Sequence, residues 1–297
     1  MPSSAIEQFD FPPYRPPSEA YSMLLRVSRG CPWNKCAFCS MYKKYSFARK
    51  SVDEIKKDID LMPQVYGTHA RTAFLGDSNS LLLKTADLVA VLEHLYRVFP
   101  HLEWVTSYAR AKTLTKKPLT ELQAIREAGL TRLHIGLESG DDQVLALIRK
   151  GATAAEMIAA GRLSKEAGFE CSMYVLLGIG GVEHTMAHRQ GTVRVLNEVD
   201  PHFIRVRTLT PIPKTPIARW IEEGSFTLIS PLMSVEEELD IVRGLRVSSR
   251  FLNDHVSNIV PLDGKLPDDQ PQMIAALEAA VAYCQKSEVD YRDYRSL

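Results

Sequence analysis

The densest group of reactive side chains in this chain is a set of three thiols within nine residues. Cys31, Cys36 and Cys39 stand in the run Arg-Gly-Cys-Pro-Trp-Asn-Lys-Cys-Ala-Phe-Cys. Three thiolates can hold three irons of a [4Fe–4S] cube, whereas a structural zinc takes four protein ligands. Because no fourth cysteine lies near the run, the spacing predicts an iron–sulfur cluster with one open iron. A zinc site that borrows a distant histidine or cysteine, and three coincidental thiols, are the alternatives.

The other cysteines and two histidines are more scattered. Cys171 and Cys284 are far from the run and from each other, so we expect two buried apolar side chains rather than a disulfide. His184 and His188 have the spacing of two metal ligands on one helix face, but no third ligand accompanies them. We therefore interpret both histidines as polar residues at the start of a helix.

The segments that must position these groups alternate between strand and helix. The predicted strands are Met23–Ser28, Thr72–Gly76, Trp104–Tyr108, Leu133–Glu138, Ser172–Leu177 and Phe203–Leu209. The predicted helices between them are Val52–Val65, Thr85–Val98, Leu119–Ala128, Gln143–Ile148, Ala154–Ala167 and His184–Val199. This repeated order predicts an α/β fold with parallel strands, arranged as a partial (β/α)6 TIM-like barrel.

The two ends of the chain fall outside the alternating pattern. Residues 1–20 are rich in proline, which favours an extended N-terminal arm over a helix. Residues 21–210 form the predicted barrel, and residues 211–297 form a helical C-terminal extension that would suit a substrate lid. Its helices are predicted at Ile217–Glu223, Val235–Val247 and Gln272–Gln285, with an irregular polar segment at Arg250–Asn258.

Composition and charge bound the classes of partner. The chain has 297 residues, of which 45% are hydrophobic, enough to fill a sizeable core. Lysine and arginine total 36, as do aspartate and glutamate, so no general field attracts nucleic acid or a charged membrane surface. No apolar segment approaches the roughly 20 residues that span a bilayer, and the N-terminus lacks signal-peptide features. We expect a soluble, cytoplasmic protein.

The cysteine run resembles the motif of the radical S-adenosylmethionine (radical SAM) enzymes, which lies after the first strand of a partial (β/α)6 barrel. The run here directly follows the first predicted strand. The usual family spacing has three residues between the first two cysteines, whereas this chain has four and reads CX4CX2C. Phe38, before the third cysteine, matches the family pattern, which implies that it belongs to the cofactor-binding residues. The resemblance implies that Cys31, Cys36 and Cys39 hold the cluster and that the amine and carboxylate of SAM fill the open iron.

Two further resemblances place acidic residues against SAM. The segment Phe74–Asn79 is similar to the Gly-Gly-Glu-type motif that receives the SAM amine, which implies this role for Asp77; a helix cap is the alternative. The segment Ile135–Gly140 resembles one in the coproporphyrinogen dehydrogenase, methylthiotransferase and cobalamin-dependent branches, where an acid or amide contacts the SAM ribose. It implies a ribose contact from Glu138 and a place in the cofactor site for Ser139, with an ordinary capped turn as the alternative.

Glycines and an arginine complete the predicted cofactor site. The fifth predicted strand ends in Leu176–Gly181, and the matching segment of radical SAM proteins lines the adenine, which implies that role for Gly178 and Gly180. Arg110 follows the third predicted strand and is a candidate for the SAM carboxylate, because guanidinium can grip a carboxylate with two parallel hydrogen bonds. A surface arginine at a strand end is the alternative.

A polar segment near the C-terminus also resembles part of the family. Asp254, His255 and Asn258 lie in a His-x-Ser-Asn stretch that is followed by Leu-Pro-x-Asp, as at the end of a stand-alone radical SAM group. Its position after the sixth predicted strand would suit a substrate lid, and a capped turn is the alternative.

The resemblance implies an enzyme that reductively cleaves SAM at a [4Fe–4S] cluster. The resulting 5′-deoxyadenosyl radical would act on an unidentified small-molecule substrate, with flavodoxin or ferredoxin as a one-electron donor. The sequence lacks a second cysteine trio, room for an acetyltransferase domain and a cobalamin-binding Asp-x-His-x-x-Gly motif. A coproporphyrinogen-dehydrogenase-like enzyme, a tRNA-modifying enzyme and a non-catalytic metal-binding sensor or scaffold are the alternatives.

Overall fold

The computed structural model describes residues 14–286 of the chain. Most of the predicted N-terminal arm, residues 1–13, lies outside the described residues. Within the rest of the arm, Pro17–Glu19 form a 3-10 turn rather than an extended segment. Glu19 is buried and accepts a hydrogen bond of 2.7 Å from the hydroxyl of Ser22. Proline at the start of the turn is compatible with helical backbone because its fixed φ suits a first helical position.

The strands follow the predicted pattern and extend it. In chain order they are β1 Met23–Arg26, β2 Ser28–Arg29, β3 Ala48–Arg49, β4 Thr72–Gly76, β5 Trp104–Ala109, β6 Leu130–Glu138, β7 Glu170–Leu177, β8 Phe203–Thr208, β9 Arg250–Asn253 and β10 Leu262–Lys265. Within residues 14–286, one sheet has the order β1-β4-β5-β6-β7-β8-β9-β10, and β2 pairs with β3. The pairs β1 with β4, β4 with β5, and β7 with β8 are parallel, as predicted.

Helices occupy the connections between the parallel strands. They are α1 Val52–Leu61, α2 Pro63–Tyr66, α3 Thr85–Val98, α4 Ala111–Leu114, α5 Leu119–Glu127, α6 Asp142–Leu147, α7 Ala154–Glu166, α8 Gly181–Val199, α9 Pro216–Glu222, α10 Pro231–Gly244 and α11 Gln270–Lys286. The single helix predicted at Val52–Val65 is divided, because Pro63 has no N–H to continue the hydrogen-bond pattern of α1. Among the described residues, none of these helices is both long and apolar enough to span a membrane.

Two compact units divide the chain, and the first contains the described residues up to Asn34, Met41–His134 and Leu163–Glu170. Its core includes the fully buried Phe74 and Phe99. The helix α1 shows how the sequence builds such a unit. Ser51 and Glu54 form a capping box at its start, and Ile55 and Ile59, one turn apart, are its buried residues.

The second unit contains Lys35–Ser40, Ile135–Arg162 and the chain from Cys171 onward. One of its apolar clusters comprises Val144, Ile148, Leu176, Ile179, Leu209, Ile217 and Phe226. These residues come from α6, the ends of β7 and β8, and α9. The glycine-rich turn that follows β7 is therefore supported by apolar packing.

The segment after β8 contains two strands that the sequence patterns do not predict. The predicted irregular segment Arg250–Asn258 begins with β9, which pairs in parallel with β8, and β10 then pairs antiparallel with β9. The C-terminal extension is therefore helical only in part. The strand β9 has only two apolar residues, Phe251 and Leu252, and both of its end residues are polar. Such a short apolar run is not recognised as a strand from the sequence pattern.

Candidate functional site

The three cysteines lie in the loop that connects β2 to β3, just beyond β1. All three are partly exposed, and none forms a disulfide. The backbone N–H of Asn34 donates to Cys31 Sγ across 3.4 Å, and Asn34 has a positive φ of 49°, which asparagine tolerates better than most residues. This left-handed residue lies within the four-residue spacer between Cys31 and Cys36.

The donor set of this loop fits an iron–sulfur cluster better than a closed zinc site. Thiolates are the usual cluster ligands, and an N–H donor aimed at a sulfur stabilises its negative charge. Among residues 14–286, no group of three or more histidine, cysteine, aspartate or glutamate side chains is arranged to hold a metal ion. This includes the three cysteines, so the preference for a cluster over zinc rests on the donor types and on the lack of a fourth cysteine near the run.

The start of the cysteine loop is anchored by the turn after β4. Gly30, which precedes Cys31, donates its N–H to Asp77 Oδ2 at 3.1 Å and accepts a hydrogen bond from the Ser78 hydroxyl at 3.0 Å. The same carboxylate oxygen lies 3.3 Å from Arg26 Nε, and both side chains are almost fully buried. Asp77 therefore ties the cysteine loop to β1 and β4, and it is not a helix cap.

The second half of the loop is anchored through its backbone and through Phe38. The N–H of Ala37 donates to the carbonyl of Ile148 at 2.8 Å, and the carbonyl of Ala37 accepts from the N–H of Ile217 at 3.2 Å. Phe38 packs against the apolar cluster around Ile148 and Leu176. The aromatic residue before the third cysteine is therefore part of an apolar cluster of the second unit.

Arg110 lies beside the cysteine loop within the first unit. Its guanidinium carbon lies 5.0 Å from the ring centroid of Trp33, a cation–π contact. Both residues line a cavity of about 750 Å³, together with Pro32, Lys112, Lys116 and Lys117. Lys84 and one carboxylate, Glu121, also line it. The volume is in the range of small-molecule sites, and five cationic side chains against one acidic side chain favour an anionic occupant.

Glu138 ends β6 in an uncommon backbone conformation. Its φ is +63°, and its Oε1 accepts a hydrogen bond of 2.8 Å from Lys150 Nζ. A Cβ on Gly136 would lie 2.4 Å from this oxygen and 2.7 Å from the ammonium, so a larger residue there would displace the ends of both side chains. The predicted ribose ligand is thus held at the strand end by a partly buried ion pair.

Ser139 belongs to a buried polar network that the sequence patterns do not reveal. Its hydroxyl lies 2.9 Å from His188 Nδ1, and His188 Nε2 lies 3.4 Å from Glu237 Oε1. Glu237 in turn accepts a 2.6 Å hydrogen bond from the N–H of Gly178 and another of 2.6 Å from the Thr185 hydroxyl. The network therefore links the turn after β6 to the glycine-rich turn after β7.

The interpretation of His188 as a polar helix-start residue is wrong. Its side chain is fully buried, and desolvation lowers its pKa, although the nearby carboxylate of Glu237 acts in the opposite direction. His188 lies two turns into the helix that follows a glycine-rich turn. This position, away from the first turn of the helix, is the one sequence feature that indicates a buried side chain. Glu237 lies about fifty residues further along the chain, and no local pattern points to it.

The two predicted adenine-lining glycines lie at the start of α8. Gly178 has a φ of +76°, a backbone conformation that favours glycine. A Cβ at this position would also lie only 3.1 Å from the Ile229 side chain. Gly180 is buried and occupies the N-cap position of α8. The structure thus joins Gly178 to Ser139 through the side chains of Glu237 and His188.

The His-x-Ser-Asn segment completes the end of β8. Register pairing with β9 covers only Phe203–Arg205. Beyond it, Asn258 Nδ2 donates to the carbonyl of Val206 at 2.9 Å, and the hydroxyl of Ser257 accepts from the N–H of Thr208 at 3.1 Å. These two side chains therefore satisfy strand backbone groups that no neighbouring strand reaches.

His255 is held by the same segment. Its Nδ1 accepts from the N–H of Ser257 at 3.1 Å, which leaves the proton of the neutral ring on Nε2. Burial and the positive charge of Arg207 lower the pKa of His255.

The middle of the chain matches a known family. Residues 25–194 match the family model described as the radical SAM superfamily. This range contains all ten residues predicted above to hold the cluster or SAM.

Similar proteins come from several sources. An uncharacterized methyltransferase of Pyrococcus horikoshii is 23% identical over 224 residues, which are 72% of this chain and 47% of that protein. The heme chaperone HemW of Bacillus subtilis is 22% identical over 199 residues, which are 65% of this chain and 52% of that protein. The chain therefore spans about half the length of the curated relatives it matches.

A solved structure supports the fold. The radical SAM coproporphyrinogen III oxidase HemN of Escherichia coli superimposes with a TM-score of 0.56 at 17% identity, over 75% of this chain and 50% of that chain. Identity at this level shows the fold alone. The predicted partial barrel is confirmed.

Proposed function

Because this chain belongs to the radical SAM superfamily, we propose that Cys31, Cys36 and Cys39 hold its cluster and that the neighbouring strand ends bind SAM. The protein is an enzyme of this superfamily, with a [4Fe–4S] cluster and SAM as its cofactors. The observation that carries the assignment is the set of three partly exposed cysteines, none in a disulfide, in a loop anchored on both sides.

The cofactors supply the bond breaking in this proposal. When bound, they provide a one-electron reductive cleavage of SAM that yields a 5′-deoxyadenosyl radical, which takes a hydrogen from the substrate. The chain provides binding and orientation. Asp77, Ser78 and Arg26 fix the start of the cysteine loop, and the apolar packing of Phe38 fixes its second half.

The contacts with SAM follow from where the side chains lie. Asp77 is the candidate for the SAM amine, but its Oδ2 already contacts Gly30 and Arg26, so its main part in this proposal is to position the loop. Glu138 and Ser139 are assigned to the ribose, and Gly178 and Gly180 to the adenine. Arg110 is assigned to the SAM carboxylate, and the cation-rich cavity that it lines supports an anionic ligand.

The partners are proposed from the chemistry of the reaction. A flavodoxin or ferredoxin would supply the electron, and the substrate would be a small molecule. No membrane or nucleic acid takes part in this proposal, and the protein would act in the cytoplasm.

Anaerobic reconstitution tests the proposal. Wild-type protein should bind iron and sulfide in the ratio of a [4Fe–4S] cluster and convert SAM to 5′-deoxyadenosine under reduction. The variants Cys31→Ala, Cys36→Ala and Cys39→Ala should lose both properties, because each removes one ligand. The variants Cys171→Ala and Cys284→Ala are matched controls, since both cysteines are buried elsewhere, and they should retain both.

One result would overturn the proposal. A protein that binds zinc at these cysteines and does not cleave SAM is a metal-binding scaffold.

A further inference from the structure

Two arginines lie on one face of β8. Arg205 and Arg207 are two residues apart in a strand, so their side chains leave the same face, roughly 6–7 Å apart along the chain. Tyr174 is the register partner of Arg205 on β7 and therefore shares this face. The guanidinium carbon of Arg207 lies 5.5 Å from the ring centroid of Tyr174. The face thus carries two adjacent cations beside an aromatic ring.

These two arginines have no carboxylate partner among the described residues. Neither side chain has a hydrogen bond or an ion pair within residues 14–286, and the guanidinium carbon of Arg205 lies 5.9 Å from the ring centroid of Phe203. Arg205 is only 7% exposed, and its buried Nε has no hydrogen-bond partner within that part of the chain. Asp263 on β10 feels the charge of Arg205, but Arg250 already binds both of its oxygens, at 2.9 and 2.7 Å.

Other arginines of the same unit have carboxylate partners. Arg162 pairs with Glu198, Arg189 with Asp240, Arg243 with Glu278 and Arg250 with Asp263. Those four arginines are at the surface or near it, where an ion pair matters least. A buried guanidinium without an anionic partner is destabilising, and a second cation on the same strand face adds repulsion. Such an arrangement is expected where a ligand supplies the negative charge.

We propose that Arg205 and Arg207 bind an oxyanion of the substrate, a carboxylate or a phosphate. The inference rests on the proposed function, because it names the chemical class of the substrate. The planar donors of arginine match two oxygens of either group. Arg207 is the penultimate residue of β8, and the carboxyl ends of barrel strands are where such folds bind their substrates. His255 carries a lowered pKa beside Arg207 and adds no negative charge.

Thermal unfolding of the reconstituted protein with small anions tests this site. The probes are inorganic phosphate and succinate, added separately in low-salt buffer. A ligand that binds only the folded state raises the unfolding temperature, so at least one probe should do so for the wild type. A rise with phosphate alone indicates a phosphate group on the substrate, a rise with succinate alone indicates a carboxylate, and a rise with both indicates a site that accepts either oxyanion. No rise with either probe overturns the proposal.

Substitution of the two arginines ties the effect to the site. Arg205→Gln and Arg207→Gln should each weaken probe binding about tenfold to a hundredfold, because each removes a charge-assisted contact. Arg162→Gln, which changes an exposed paired arginine of the same unit, is the matched control and should bind as the wild type does. Unchanged probe binding in both site variants overturns the proposal. Arg207 is partly exposed, so Arg207→Gln carries the test if Arg205→Gln does not fold.

The unfolding temperature of Arg205→Gln without added anion distinguishes a ligand-binding role of Arg205 from a structural role. Removing an unpaired buried cation should leave the unfolding temperature of Arg205→Gln equal to that of the wild type or higher. A drop of several degrees would instead mark Arg205 as a structural residue and contradict the proposal. SAM cleavage by the wild type without substrate is measured in parallel, so failure of the proposed function is seen separately from failure of the anion site.

Discussion

At the scale of single residues, the cysteine loop depends on neighbours that have no cofactor chemistry of their own. Asp77 looks from its motif like a ligand for SAM, and the structure shows it holding Gly30 and Arg26. The sequence indicates an acid at this strand end, because the segment is a recognisable strand followed by a turn. It does not reveal the partners, since Gly30 lies 47 residues away and Arg26 is buried in a different strand.

The variant Asp77→Asn should therefore destabilise the protein strongly. It removes the carboxylate from a buried contact with Arg26, which costs about 3 kcal/mol in comparable buried pairs. Ser78→Ala removes only a neutral hydrogen bond to Gly30 and should lower the free energy of unfolding by about 1 kcal/mol. Urea unfolding of the apoprotein measures both. Equal effects of the two substitutions would show that Asp77 carries no special charge interaction.

The buried His188 should make stability depend on acid. Its lowered pKa means that the folded protein keeps the ring neutral, whereas the unfolded chain takes up a proton below about pH 6.5. The free energy of unfolding should therefore fall as pH decreases below 6.5, and His188→Gln should flatten this decline. Thermal unfolding between pH 5 and pH 8 gives the slopes. His184→Gln, on the same helix but only partly buried, is the control and should retain the wild-type slope.

At the scale of elements, backbone groups at the end of β8 form hydrogen bonds with side chains rather than with a neighbouring strand. The backbone of Val206 and Thr208 is satisfied by Asn258 and Ser257, which stand in for the missing part of β9. The sequence resemblance identifies this polar segment but leaves two interpretations, a substrate lid and a capped turn. Geometry shows it capping a strand end, next to the proposed anion site at Arg207. It is a fixed part of the sheet rather than an irregular connection.

Removal of the Ser257 hydroxyl should loosen this strand end. In Ser257→Ala the N–H of Thr208 loses its acceptor, so its amide hydrogen should exchange about fivefold faster, as expected for a lost hydrogen bond of about 1 kcal/mol. Hydrogen exchange followed by NMR measures the rate. In Ser225→Ala, which alters an exposed serine bonded to Trp220, the Thr208 amide should exchange at the wild-type rate. An unchanged rate in Ser257→Ala would show that another group protects this amide.

At the scale of the whole molecule, the order of strands and helices is predictable, and the polar interior networks are not. The six predicted strands are present with ends shifted by a few residues. They are predictable because each is an apolar run between two helical segments, a pattern typical of a buried strand. The hairpin of β9 and β10 escapes prediction, since only Phe251 and Leu252 mark it. The Ser139–His188–Glu237 network depends on three distant parts of the chain, which only the folded structure brings together.

The fold should survive removal of the cluster. The buried apolar side chains of the sheet and helices, such as Phe74, Phe99, Phe169 and Phe251, do not depend on the thiols. Iron chelation should therefore abolish the visible absorbance of the cluster while leaving the far-ultraviolet circular dichroism and a cooperative thermal transition. A small zinc domain would instead unfold when its metal is removed. Loss of the helical signal on chelation would contradict the expectation.

The short pairing of β2 with β3 also makes the length of the cysteine loop adjustable. Ser28 faces Arg49 and closes the loop at its base, while Gly30 and Ala37 are fixed by separate hydrogen bonds. The entropy of loop closure grows only with the logarithm of length, so doubling a flexible span costs about 0.6 kcal/mol. Insertions at the exposed Lys43–Lys44 step should thus leave the thiols in place. The chain can vary there in length at little thermodynamic cost.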